Sequence, residues 1–152
     1  MKSGHVRPIA ICVIRDQDRI FVGKHYDPSK KEIFYRPLGG AVEFGEYGRD
    51  CVVREIHEEL AREIKDLTYL GVIENIFVYD GKPGHEIVLV YRADFVDNKM
   101  YEVDSIRCRN NGEEFDALWK PLSEFREGKA PLYPEGLLKL LDKKVKRRSD
   151  SK

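Results

Sequence analysis

The sequence predicts an α+β fold, and three patterns predict it. Two pairs of β-rich runs, at 5–25 and 68–95, each flank a strong turn signal. Between them, around 53–64, apolar residues recur at helical rather than strand spacing. A second amphipathic helical pattern closes the chain at 134–145, with Leu137, Leu138, Leu140 and Leu141 on its apolar side. At 152 residues the chain is long enough for a proper core, so a single domain over 1–152 is expected, with a basic tail at 143–152.

The elements follow in order. HVRPIAICVIR at 5–15 is rich in β-branched residues, and RIFVGKH at 19–25 alternates. Asp16-Gln17-Asp18 joins them as a hairpin turn. A polar loop from Asp27-Pro28-Ser29 reaches Lys31, and Ile33-Phe34-Tyr35 is a short strand leading into a glycine-rich stretch. Thr68–Tyr79 and His85–Phe95 read as a long hairpin about the turn Asp80-Gly81-Lys82-Pro83-Gly84. Residues 104–113, ending in Asn110-Asn111-Gly112, read as a polar loop. Phe115–Lys120 returns as a strand, and 121–125 starts a short helix with Ser123 as candidate cap.

The chemistry concentrates at 39–64, GGAVEFGEYGRDCVVREIHEELAREI. Glu55, Glu58 and Glu59 stand at i, i+3 and i+4, which puts three carboxylates on one helical stripe. Val53, Ile56, Leu60 and Ile64 fall roughly opposite, as a buried back. Two such charges ~5 Å apart repel by about 3 kcal/mol at an effective dielectric of 20. Arg54 and Arg62 relieve part of that, and a divalent cation relieves it better, because hard carboxylate oxygens suit Mg²⁺, Mn²⁺ and Ca²⁺. Ahead of the helix, Gly39-Gly40 lets backbone approach a ligand closely. Glu43 and Glu46 lie in the lead-in loop. A generic acidic helix is a solvated surface; the fixed spacing of Gly40, Glu46, Arg54, Glu55, Glu58 and Glu59 sets this one apart.

That spacing resembles the Nudix box, G-x5-E-x7-R-E-U-x-E-E-x-G-U with U a bulky aliphatic. Two positions depart from it: Ala61 stands in place of the usual Gly, and Arg62 in place of an aliphatic. Alanine favours continuing a helix, so the helix is expected to run on to about Ile64, with Ala61 in its interior and Ala61→Gly destabilising. Leu38 precedes the glycines where the family often has Pro; here Pro37 lies one place earlier. Trp119-Lys120-Pro121-Leu122 resembles the family's W-x-P-L continuation. Box, hairpin order and this element extend the resemblance over most of 5–142.

The resemblance implies an α/β/α sandwich with a mixed sheet and a loop–helix–loop catalytic motif. It implies a Mg²⁺- or Mn²⁺-dependent pyrophosphohydrolase acting on a nucleoside diphosphate linked to another group. Glu55, Glu58 and Glu59, with the Gly39 carbonyl, would hold the metal, and Arg54 would orient the glutamates. The loop before the late strand often supplies one more carboxylate, as metal ligand or base; Glu113 and Glu114 stand there, and Glu114 is taken for the metal set. Glu58, Glu59 and the 113–114 pair remain open as the general base. Arg36, Gly40, Glu46 and Tyr79 are the substrate-side candidates. His57 occupies a variable box position, and His85-Glu86 is left outside the catalytic set.

Composition bounds the partners. Lys plus Arg and Asp plus Glu are both 27, so net charge argues against a general nucleic-acid binder. The basic KKVKRRSDSK terminus is the one feature favouring an RNA-end substrate. A sensing module without catalysis is the other alternative; such modules commonly lose a box glutamate, and this chain keeps all four. No apolar run nears 18 residues, and MKSGHVRP lacks a signal-peptide core, so no membrane span or secretion is expected. Cys12, Cys51 and Cys108 lack metal spacing and suit a reduced, cytoplasmic compartment. The partner expected is a small nucleotide; a homodimer stays open.

Overall fold

The computed structural model describes residues 4–150, with side chains as far as Lys143. The 1–3 and 151–152 ends, and the side chains of the basic tail invoked above, lie outside it. In chain order the strands are β1 (Val6–Asp16), β2 (Arg19–Asp27), β3 (Glu32–Arg36), β4 (Leu38–Ala41), β5 (Ile64–Tyr79), β6 (Lys82–Phe95), β7 (Ser105–Asn110) and β8 (Glu113–Pro121). The helices are α1 (Gly48–Leu60), α2 (Leu122–Arg126) and α3 (Leu137–Asp150).

The sheet is mixed, in the order β5-β6-β1-β2-β8-β7. β1 and β2 pair only beside their turn, at Arg15↔Ile20 and Asp16↔Arg19. Beyond that point they part. β4 takes the freed edge of β1, and β3 the freed edge of β2. β1 runs parallel to β6 on its other edge, the one parallel pair among the described strands. The sheet thus splits into two halves joined at the first hairpin.

Strand alternation sorts β1 between two cores. Ala10, Cys12 and Ile14 pack with Cys51, Val52, Ile56 and Leu60 of α1. Ile9, Ile11 and Val13 pack with Leu122 and Phe125 of α2 and with Leu137 and Leu141 of α3. Helices therefore cover both faces, and the α/β/α sandwich is the observed architecture. Trp119 closes the first core: its ring stacks on Tyr101, and its indole Nε1 donates to the Met100 carbonyl at 3.0 Å. No helix among the described residues is long and apolar enough to cross a membrane.

Several local expectations change. Leu38-Gly39-Gly40-Ala41 is a strand, not a loop. A Cβ at Gly39 would strike the Ala10 carbonyl, so the close pairing with β1 requires glycine there. Residues 105–110 form an edge strand in which Arg107 and Arg109 face water. The long hairpin turns tightly at Asp80-Gly81, both with positive φ, and Pro83 belongs to β6. Pro121, not Ser123, occupies the N-cap of α2. Val53 is exposed, and Val52 takes the buried place instead.

The largest correction concerns the end of α1. The helix stops at Leu60, and Ala61 adopts the left-handed conformation, φ 54° and ψ 41°. The cause is tertiary. Ile64 must pair with Phe95 and pack on the first core, which leaves three residues to reverse the chain. Arg62 helps by donating Nη1 to the Leu60 and Ala61 carbonyls, at 3.3 and 3.2 Å. A left-handed alanine costs about 1 kcal/mol that glycine avoids. The sign expected from an interior helix position is therefore reversed: Ala61→Gly raises the urea midpoint, by roughly 0.5–1 kcal/mol of stability. A lowered midpoint would contradict the observed cap.

Candidate active site

The acidic stripe of α1 is not a uniform wall facing water. Glu55 and Glu59, one turn apart, are both 7 % exposed, whereas the Glu58 side chain is 55 % exposed. The reason lies in β4, which α1 packs against. Gly40 has no side chain, and a Cβ built there would fall on the Glu55 carboxyl group. The glycine makes the hole into which the carboxylate fits.

Arg54 ties the acids together. Its Nε and Nη2 grip both oxygens of Glu46, at 2.8 and 2.9 Å. Its Nη1 donates to Glu55 at 3.0 Å and to Glu58 at 3.3 Å, and lies 3.5 Å from Glu43. Nη2 also reaches the Ala41 carbonyl at 3.2 Å. The Arg54 hydrogen bonds hold Glu46 down to about 2, and the Arg54 guanidinium is itself stabilised in its charged form.

Glu59 is the opposite case. Burial first, then the charge of Glu55, its hydrogen bond and the charge of Glu58 push it up to about 9, with the Gly39 backbone N–H pulling the other way. Burial also raises Glu55, against the pull of Arg54. With both groups ionised, the buried Glu55 Oε2 and Glu59 Oε1 have no hydrogen-bond partner; a proton on Glu59 lets the two carboxyl groups bond to each other. Two hard oxygen donors, desolvated and unpartnered beside a third carboxylate, fit a divalent cation. Among the described residues no three such side chains already stand at ligand spacing. The Arg54 guanidinium donates to both Glu55 and Glu58, so these carboxylates are held by hydrogen bonds rather than gathered on one point.

These groups line one end of a cavity of about 770 Å³ that opens where the two halves of the sheet part. Of the residues singled out from the sequence, Arg36, Gly39, Gly40, Arg54, Glu55, Glu58, Glu59 and Tyr79 all line it. Glu46 sits behind Arg54 as its bidentate partner. Glu114 does not join them. On β8 its side chain lies on the face opposite Glu113 and Phe115, beside Arg107 and Arg109 at 3.8 and 3.7 Å. Strand alternation gives the cavity Glu113 instead.

Glu86 was missed. It is 5 % exposed, accepts from Arg36 Nη2 at 3.2 Å and Asn75 Nδ2 at 3.4 Å, and lines the cavity. A charged residue inside the apolar β6 run was the available signal, but Arg36 lies 50 positions away. Tyr79 donates its hydroxyl to the Tyr26 carbonyl at 3.3 Å and packs edge-on to Phe34.

Fold and site together define a Nudix-type domain: a split mixed sheet between helices, with a glycine strand pressed against a helix of glutamates. The NUDIX domain model matches residues 4–141, and the chain belongs to that family, whose members generally use divalent cations. Similar solved structures include a NUDIX hydrolase from Nitrosomonas europaea, at TM-score 0.66 and 17 % identity over 91 % of this chain and 87 % of that one. A MutT NUDIX hydrolase from Burkholderia pseudomallei is similar at TM-score 0.58 and 22 % identity, over 79 % and 86 %. Curated relatives include the NAD-capped RNA hydrolases NudC of Vibrio parahaemolyticus, 34 % identical over 64 residues, and of Photobacterium profundum, 36 % identical over 66. Those matches cover 42 % and 43 % of this chain and 24 % of each relative, so the chain spans about a quarter of their length.

Glu59 makes stability depend on pH. An acid with a raised folded pKa keeps its proton in the folded protein where the unfolded chain has lost it. Its contribution is intact below the ordinary glutamate range and is lost as pH rises toward about 9. In EDTA, stability therefore falls between about pH 5 and 9, by more than about 2 kcal/mol. Glu59→Gln flattens that slope. Denaturant titrations across the range check it; parallel slopes in the two proteins would acquit Glu59.

Proposed function

We propose that this protein is a divalent-metal-dependent pyrophosphohydrolase that cleaves a nucleoside diphosphate linked to another moiety. One observation carries the reading: two buried carboxylates with unpartnered oxygens face the same cavity as a buttressed arginine. Such an arrangement suits a polyanion brought in together with cations.

Each residue has a part. Glu55, Glu58 and Glu59, with the Gly39 carbonyl, would hold Mg²⁺ or Mn²⁺, which would supply the positive charge that offsets the pyrophosphate. Arg54 fixes the glutamates and balances their charge while no substrate is bound. Gly40 leaves room for the Glu55 carboxyl group. Glu46 locks Arg54 in place. Arg36, braced by Glu86 and by that contact denied free rotation, offers its remaining N–H groups to a phosphate oxygen. A glutamate takes the proton of the attacking water; Glu58, the exposed acid of the α1 stripe, is the one favoured here, with Glu59 and Glu113 also on the cavity. With Glu114 on the far face, the proposed ligand set is drawn from α1 and β4.

The names of the curated relatives favour a second, narrower reading, an NAD-capped RNA end as substrate. NAD is itself two nucleosides joined by a pyrophosphate and so falls within the first reading. The balanced charge of 27 basic and 27 acidic residues supports the small nucleotide over the RNA. Three buried free cysteines support a reducing, cytoplasmic setting.

The test is product release across nucleoside triphosphates, nucleotide sugars, ADP-ribose, dinucleoside polyphosphates, NAD and NAD-capped RNA, with Mg²⁺ and with Mn²⁺. At least one is hydrolysed, EDTA abolishes the reaction, and Glu58→Gln lowers kcat at least ~100-fold. Full-rate hydrolysis in EDTA would sink the metal reading. Mn²⁺ also raises Tm in the wild type more than in Glu58→Gln; equal gains would remove Glu58 from the ligand set.

A further inference from the structure

The cavity has two chemically different ends. One is the carboxylate end described above. The other is aromatic, and neither the glutamate cluster nor Arg36 accounts for it. Phe34 is its centre: its ring lies 5.3 Å from Tyr133, 5.4 Å from His25 and 6.0 Å from Tyr79, centroid to centroid. Phe115 extends the cluster, 4.9 Å from His25. All five rings line the cavity. They come from β2, β3, β5, β8 and the segment before α3, so both halves of the sheet contribute.

The rings are fixed. The Tyr133 hydroxyl donates to Glu32 at 2.9 Å, and the Tyr79 hydroxyl to the Tyr26 carbonyl. Gly23 leaves room for His25 and Phe115, because a Cβ there would lie 2.9 Å from each. Rigid aromatic walls at the far end of a phosphate-sized site are what a flat heterocycle stacks on.

Three carboxylates line the cavity at this end, Asp27, Glu113 and Glu135, and the first two differ in what already occupies them. Asp27 Oδ1 already accepts the backbone N–H groups of Ser29, Lys30 and Asp80, at 3.0, 3.3 and 3.2 Å, so its work is to tie the loop after β2 to the β5–β6 turn. Glu113 has no hydrogen bond or ion pair among the described residues. It lines the cavity on the same face of β8 as Phe115. An ionised carboxylate only accepts hydrogen bonds. It rewards a ligand edge that carries N–H donors and penalises one that presents carbonyl oxygen.

We propose that the aromatic end receives the base of the substrate nucleotide, and that Glu113 selects bases bearing an exocyclic amino group, adenine, cytosine or guanine, over uracil and thymine. The proposal rests on the pyrophosphohydrolase reading for the placement of the phosphates. Arg36 follows Phe34 on β3 and precedes the glycines of β4 that meet the glutamates, so a phosphate on Arg36 leaves the base to the rings. Base selection thus resides on β8, and phosphate cleavage on α1.

Calorimetric titration with mononucleotides in Mg²⁺ tests the base site without requiring turnover. Wild-type protein binds CMP at least tenfold more tightly than UMP, and UMP more tightly than ribose 5-phosphate. Glu113→Gln, a change at an exposed position, narrows the CMP-to-UMP ratio below threefold. Tyr133→Leu removes most of the advantage of CMP over ribose 5-phosphate. In turnover, the ratio of kcat/KM for CTP over UTP falls in Glu113→Gln through KM. Equal binding of CMP and UMP by the wild type would overturn the proposal. So would a hundredfold fall of kcat in Glu113→Gln with the CMP preference intact, since that assigns Glu113 to proton transfer. Hydrolysis without base preference sinks this inference alone; base preference without hydrolysis of any nucleotide sinks the enzymatic reading and leaves the base site standing.

Discussion

Arg54 is the contact on which the site depends. Four carboxylates, Glu43, Glu46, Glu55 and Glu58, surround one guanidinium within 3.5 Å. Without it, α1 would bring these like charges close together against a sheet, each neighbouring pair costing a few kcal/mol. Lysine could not replace it. The fork geometry engages Glu46 with two parallel bonds while a third N–H group remains for Glu55 and Glu58. The loop before α1 is thereby fastened to the helix it precedes, and the glutamates keep their places while no cation is bound.

The cavity follows from topology. A hairpin that stayed paired along its length would leave no cleft. β1 and β2 instead separate after two residue pairs, and β3 and β4 fill the vacated edges. β4 is short and carries two glycines, so α1 can settle on it closely enough to bury Glu55 and Glu59. β3 points Arg36 and Phe34, two residues apart on one face, into the same space. A single splayed hairpin thus provides a helix platform on one wall and an arginine with an aromatic ring on the other.

Much of this was legible in the residues, and the failures have physical causes. β1, β2, β5 and β6 show themselves through β-branched runs and turn residues. β4 is silent because glycine has no side chain to display a period. β7 is an edge strand whose outward arginines look like loop chemistry, while Ile106 and Cys108 face the core. The helical period identifies the glutamates, but not which of them a glycine strand would bury. Glu113 and Glu114 differ only by strand parity, which adjacent acids do not reveal. The break at Ala61 is tertiary override of propensity: a good helix former yields because β5 must begin at Ile64. Glu86 and Arg36 meet across 50 residues, beyond any local pattern.

Buried Glu59 carries the last step. Proteins bury carboxylates with partners, because an unpaired one forfeits the hydration of its oxygens. Here buried Glu59 lies one helical turn from buried Glu55, their ionised oxygens would lack partners, and Glu59 holds a proton far above the ordinary glutamate range. An apolar residue in that place would stabilise the fold. The fold retains acids, and it carries at position 40 a glycine whose Cβ would fall on the Glu55 carboxyl group. On the proposed reading, a cation that replaced the proton would recover that loss of stability, since the ligand's binding energy would then appear as folding energy. The same desolvation that makes the empty site costly strengthens the attraction for a cation inside it. On that reading, the cost of burying Glu55 and Glu59 and their pull on a cation would be two consequences of a single burial.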